Sequence, residues 1–177
     1  MTPTSARRAD AERNCEKILA AARDALAEDE EVSMAEVARR AEVGMGTLYR
    51  NFANRRELLE AIFTHEVDGV CEAAERLELV PWLHRFFAFF ASKRVCASAL
   101  LSDGDCSDDP VFVSSRTRII EAGQPLLVAA QDAGEVRRDL TLEQILDMVG
   151  AVAHIPAEPA YREPILAAAL DGLRPKG

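Results

Sequence analysis

The stretch "AEVGMGTLYRNFANRRELLEAIF", residues 41–63, decides how this chain is read. Small residues lead into Thr-Leu-Tyr, then an Arg-rich turn, then a new apolar-periodic run. Gly44 to Gly46 mark the start of a short helix. Leu48 and Phe52 stand four apart and share the face expected to be buried, while Met45 and Tyr49 share another face that stays free. Asn54 and Glu57 have the spacing of an N-cap and its N3 partner, so a fresh helix is expected to follow. That helix runs through Leu58, Leu59, Ile62, Phe63 and Val70 towards Leu77.

Upstream, "SMAE" at 33–36 reads as a capping box, with the Ser33 hydroxyl accepting a first-turn N–H and Glu36 reaching back. It opens a short helix with Val37, Ala38 and Ala41 inward. Before it, Cys15, Ile18, Ala22, Ala25 and Leu26 repeat at three- and four-residue spacing and predict a helix over about 10–28. Two short helices a few residues apart, the second with an exposed polar face, make a helix-turn-helix. Reading DNA requires a helix that enters the major groove leading with its N-terminal residues. Gly44 and Gly46 allow backbone to approach phosphate or base, Thr47 offers a hydroxyl and a methyl, and Tyr49 offers a ring and a hydroxyl. Arg55 falls in the first turn of the following helix, where backbone N–H groups favour an anion.

Downstream the pattern stays helical. Pro81 suits a first turn, and Trp82, Phe86, Phe89 and Phe90 lie on one side of the next helix with Leu83 and Phe87 on another, which places that helix centrally. "SDGDCSDDP" at 102–110 reads as a loop, and a helix over about 111–133 contains Pro125, where a kink or break is expected. Ala133-Gly134 reads as its end, and "TLEQ" at 141–144 caps another helix. Ala, Leu, Glu and Arg outnumber the β-branched residues and no convincing strand appears, so the fold class is all-α.

The order of residues in "SMAEVARRAEVGMGTLYRNFANRRELLEAIF" resembles the DNA-binding segment of the tetracycline-repressor-like (TetR) family of bacterial regulators. The matching features are the Ala38…Ala41 helix, Val43 in the turn, Thr47-Leu48-Tyr49, Phe52, and Arg55 followed by Glu57-Leu58-Leu59. The likeness is close over 10–63 and returns in "AGEVRRDLTLEQIL" at 133–146. It implies about nine helices: a three-helix DNA-binding domain over 1–55, then a ligand-binding and dimerisation domain over 56–177. It also implies a homodimer that binds double-stranded operator DNA and responds to a small-molecule effector, most simply as a repressor.

By position, Thr47 and Tyr49 would contact DNA, Arg55 stands where the family has a phosphate-binding Lys, and Asn51 where a His is common. Ser33, Arg40, Met45 and Gly46 complete the expected DNA-facing set, with specificity leaning on Arg40, Thr47, Tyr49 and DNA shape. Glu42 stands where a turn glycine is often found. Arg7-Arg8 could track a phosphate or lie idle. For the effector, Trp82, Phe86, Phe89, Phe90 and Phe112 are material for an apolar pocket, though aromatics at helical spacing are also ordinary core, and Lys93 or Arg94 could meet a ligand carboxylate. For the dimer, the stripes Ile145/Met148/Val149/Val152 and Leu166/Ala169/Leu170/Leu173 pack on each other, across a two-fold axis, or both.

A net charge of −9 looks wrong for a DNA binder, but it is unevenly placed. Residues 1–56 carry ten basic and ten acidic residues, so the acidity belongs to residues 57–177. A neutral reading domain with its arginines gathered at one surface can meet phosphate while the acidic body points away. Four cysteines at 15, 71, 96 and 106 show no Cys-x-x-Cys spacing; Cys15 falls on an apolar face and Cys106 in the polar loop is the better redox candidate. His65, His84 and His154 are scattered, so no metal is expected. No nucleophile–base pair or phosphate loop supports catalysis or a cofactor. No apolar run suggests a membrane span or signal core, and the expected address is the cytoplasm. The competing readings are a ligand-sequestering protein or enzyme retaining a three-helix start, and a helical protein-interaction module.

Overall fold

The computed structural model describes residues 3–28, 32–92 and 110–175. Eight α-helices, and no strand, occur among them: α1 (Pro3–Glu28), α2 (Met34–Arg40), α3 (Met45–Asn51), α4 (Arg55–Ala74), α5 (Leu79–Ser92), α6 (Pro110–Asp132), α7 (Leu142–Ala153) and α8 (Pro159–Asp171). The described residues divide into two compact units, one ending at His65 and the other starting at Glu66, both inside the span of α4.

In the first unit α1 packs on α2 and α3, and α2 on α3. The helical stripe of α1 is the reason: Ile18, Ala22 and Ala25 are fully buried. Val37 and Ala38 of α2, Leu48 of α3, and Leu58, Leu59 and Ile62 of α4 close the same core. Each large aliphatic so buried contributes about 1.5–3 kcal/mol over its exposed state. Helix α1 begins earlier than its apolar pattern indicates, and Cys15 is half-buried on it, its thiol pushed up in pKa by burial and then by Glu16.

The second unit is built around α5, which packs on both α6 and α7, while α7 packs on α6 and α8. Trp82, Leu83, Leu142, Ile145 and Val149 are fully buried there. Helix α7 begins as expected: the Thr141 hydroxyl accepts the Gln144 N–H at 3.4 Å and the Gln144 side chain accepts the Thr141 N–H at 3.0 Å. Gly134, at φ 73°, follows the end of α6, and the Glu135 N–H reaches back to the Ala130 carbonyl at 2.9 Å. Of the kink or break expected at Pro125, the break does not occur: the helix runs past it. Pro125 and Glu121 are both exposed, so the carbonyl that loses its helical donor lies on the side where water replaces the bond. Pro159 starts α8 at its first turn.

Candidate DNA interface

The turn between α2 and α3 sets the angle at which α3 is presented. Ser33 caps α2, its hydroxyl accepting the Glu36 N–H at 3.2 Å. Glu36 does not reach back as a capping box requires; its carboxylate accepts instead from Arg39 at 2.7 and 2.8 Å and from Arg40 at 2.7 Å. Two guanidiniums outbid one backbone N–H for the same anion. After Ala41 the chain reverses through Glu42 at φ 55°, the left-handed region that glycine occupies without strain. The Val43 N–H then bonds the Ala38 carbonyl at 3.0 Å, and the Gly44 carbonyl accepts from Thr47 and Leu48 at 2.8 and 3.1 Å. The expected turn is present, with a glutamate held in the glycine conformation.

Helix α3 follows with its two faces divided as the spacing predicts. Leu48 is fully buried and Phe52 nearly so, whereas Met45 is 40% and Tyr49 49% exposed. Gly44 and Gly46 are exposed and have nothing within 4 Å of where a Cβ would stand. Asn51 is half-buried and donates its amide to the Thr47 carbonyl at 2.8 Å. The first turn of α4 is capped by Asn54, whose side-chain oxygen accepts the Glu57 N–H at 2.9 Å, while Glu57 accepts from the Ala53 N–H at 2.8 Å. Arg55 is half-buried there and donates from Nε to the Val32 carbonyl at 3.3 Å, tying α4 to the entry of α2.

Arg40 is more tightly held than its position suggests. Nε meets Glu36 and Nη2 meets Glu28, each at 2.7 Å. Hydrogen bonds from Arg39 and Arg40 pull the Glu36 carboxyl down to about 2, and Arg40 pulls Glu28 down as well. Arg40 and Arg39 are raised in turn by these carboxylates. A phosphate reaching Arg40 must therefore exchange for a carboxylate already in place. Arg50 on α3, which the sequence reading passed over, is exposed. Its only signal was adjacency to Tyr49.

In the second unit the aromatics form a stack of core character. Phe86 lies 6.2 Å from Trp82 and 4.7 Å from Phe90, ring centre to ring centre, and Phe89 lies 5.6 Å from Phe90. Trp82, Phe86 and Phe89 are buried, Phe90 and Phe112 half-buried. The Trp82 indole N–H donates to the Val70 carbonyl at 2.9 Å. A separate cleft of about 470 Å³ lies between α4 and α6, lined by Asp68, Cys71, Glu72, Glu75, Arg118 and Pro125 among others. Asp68 pairs with Arg118 on its wall, and burial raises the Cys71 thiol. No periodicity argument brings these residues together, because the two walls come from helices some fifty positions apart in sequence. Ile145, Val149, Val152, Leu166, Leu170 and Leu173 are buried within the chain, and Met148 and Ala169 are half-buried. Lys93, Arg94 and Cys106 lie outside the described residues. Among the described residues no cluster of His, Cys, Asp or Glu could hold a metal, and no helix is long and apolar enough to cross a membrane.

Residues 18–62 match the family described as "Bacterial regulatory proteins, tetR family", and residues 75–175 match "Transcriptional regulator SbtR-like, C-terminal domain". A TetR transcriptional regulator from Streptomyces coelicolor is 34% identical, with a TM-score of 0.75 over 92% of this chain and 99% of that one. A TetR regulatory protein from Mycobacterium vanbaalenii is 29% identical, with a TM-score of 0.71 over 95% and 99%. GusR of Salmonella enterica, 20% identical with a TM-score of 0.64 over 90% and 94%, shares the fold. No curated protein matches the chain. Matched in its helix-turn-helix and in its C-terminal half, the chain belongs to the TetR family of bacterial transcriptional regulators.

Proposed function

We propose that this DNA-binding regulator acts in the cytoplasm as a homodimeric repressor, released from a two-fold symmetric operator by a small-molecule effector. It has no catalytic role in this reading. The observation that carries the DNA reading is the division of α3: Leu48 and Phe52 anchor it from within while Met45, Gly46 and Tyr49 are exposed and Thr47 is half-buried beside them. A surface helix anchored this way, behind a tight turn, has the form that enters a major groove.

Thr47 and Tyr49 are the residues assigned to base and phosphate contact, with Ser33, Arg40, Asn51 and Arg55 at the flanking phosphates. Residues 1–55 form the reading domain and 56–177 the domain that senses effector and dimerises. For the sensor, the half-buried Phe90 and Phe112 are candidates for ligand contact, with Trp82, Phe86 and Phe89 shaping the wall behind them. For the dimer, the α7 and α8 stripes hold their helices together through buried residues, and Met148 and Ala169 at the stripe margins are available to a second copy.

Two reading helices of a dimer must lie roughly 34–36 Å apart, or a multiple of that, to meet successive major grooves. Effector binding that changes this spacing weakens operator binding. The test is selection of duplexes from a random pool by the purified chain. Enrichment of a two-fold symmetric site supports both dimer and operator; no enrichment at low salt by a confirmed dimer refutes operator binding by the chain alone.

A further inference from the structure

Arg50 is the arginine of α3, and its side chain follows a path dictated by helix geometry. Each Cα–Cβ bond in a helix leans towards the N-terminus, so a long side chain covers the turn before it. Arg50 donates from Nε to the Gly46 carbonyl at 2.9 Å and from Nη2 to the Thr47 hydroxyl oxygen at 3.1 Å. A guanidinium has more N–H groups than these two acceptors use. Both acceptors are neutral, and no carboxylate pairs with Arg50 among the described residues. Arg39 and Arg40, by contrast, are bound to Glu36, and Arg40 also to Glu28.

Thr47 is affected by the same contact. Its oxygen uses a lone pair on Arg50, so its O–H hydrogen is directed away from the guanidinium, where no acceptor meets it among the described residues. The unused N–H groups of Arg50 and the O–H of Thr47 thus form neighbouring donors near Gly46. Beside them, the space where a Cβ of Gly46 would stand is open. A base edge can approach the helix there.

We infer that Arg50 is a specificity-determining residue that reads a guanine in each operator half-site, with the Thr47 hydroxyl turned by it into a second donor. In the major groove guanine presents two acceptors, N7 and O6; adenine pairs an acceptor with a donor, cytosine presents a donor, and thymine one acceptor beside a methyl. A cluster of donors carrying positive charge matches guanine best. The inference rests on the reading that α3 enters the major groove.

The test is random-duplex selection with the native chain, Arg50→Ala, Arg50→Lys and Thr47→Val, followed by binding across a salt series. The native chain selects a half-site containing a G·C pair whose preference disappears in Arg50→Ala. Affinity of Arg50→Ala for the native site falls about tenfold to a hundredfold, with a smaller change on unrelated duplexes. Arg50→Lys keeps the charge without the planar fork and recovers only part of the guanine preference. Thr47→Val weakens the guanine preference without abolishing it. Unchanged base frequencies in Arg50→Ala overturn the assignment while leaving operator binding intact. So does an equal loss on every duplex with a shallower salt slope, the signature of a phosphate contact. A native chain that enriches no site overturns both the assignment and the operator reading.

Discussion

The backbone of Gly123 lies against the indole of Trp82: a Cβ at residue 123 would fall 2.3 Å from Cη2 and 2.6 Å from Cζ3 of the ring. The ring cannot swing aside, because it is fully buried and its N–H is fixed to the Val70 carbonyl. In an open helix, Gly→Ala gains about 1 kcal/mol. Here overpacking reverses the sign, and Gly123→Ala is expected to destabilise by about 1–3 kcal/mol, read from urea unfolding. An unchanged or raised midpoint would mean that the α5–α6 contact is looser than this geometry.

Glu42 is held at φ 55°, a conformation that costs a non-glycine residue about 1–2 kcal/mol. Gly at that position relieves the strain but adds roughly 0.5–1 kcal/mol of chain entropy to the unfolded state. The balance favours Glu42→Gly by a few tenths to about 1 kcal/mol. Thermal unfolding of the two proteins under one buffer measures it, and a lower melting temperature for the glycine variant would contradict the strain argument.

The Glu36 carboxyl, drawn from its ordinary 4.5 to about 2 by Arg39 and Arg40, links stability to acid. A folded-state pKa below the unfolded one means the contribution is complete above about pH 4.5 and is lost as pH falls towards 2. Glu36→Gln should therefore lose less stability than the native chain over that window. Parallel acid limbs for the two proteins would show that the pairing is not maintained in solution.

Tyr49 is 49% exposed and Leu48 carries the packing of α3, so Tyr49→Ala should leave the melting temperature within about a degree of native. Operator affinity should nevertheless fall by roughly tenfold or more, as for the loss of one good groove contact. Fluorescence anisotropy on the selected site provides the measurement. Full affinity in the variant would move the reading surface elsewhere.

Local physics was legible in the sequence wherever one residue or one short spacing decides the outcome. Leu48 and Phe52 faced inward, Thr141 and Gln144 formed their reciprocal cap, and Asn54 capped α4. Features set by more than one element were not legible. The Arg40–Glu28 contact joins two helices across twelve positions, and the α4–α6 cleft depends on helix pairing. Glu36 illustrates the limit within a single turn: its spacing from Ser33 is that of a capping box, but competition from two arginines decides where it points. Pro125 is a second instance: at its exposed position water can offset the lost hydrogen bond, and α6 continues past it.

The carboxylates around Arg39 and Arg40 have a kinetic consequence. Paired charges present dipoles to an approaching polyanion, and their field dies away faster than that of bare cations. On the proposed reading, Arg39 and Arg40 therefore add little to the long-range attraction of DNA, and the ionic-strength dependence of encounter falls to cations such as Arg50 that have no carboxylate partner among the described residues. On that reading a phosphate reaching Arg40 would have to displace Glu28 or Glu36, so the contact would form only at close range. Such an arrangement would shorten dwell times on arbitrary duplex and leave more of the protein free to search for a specific site.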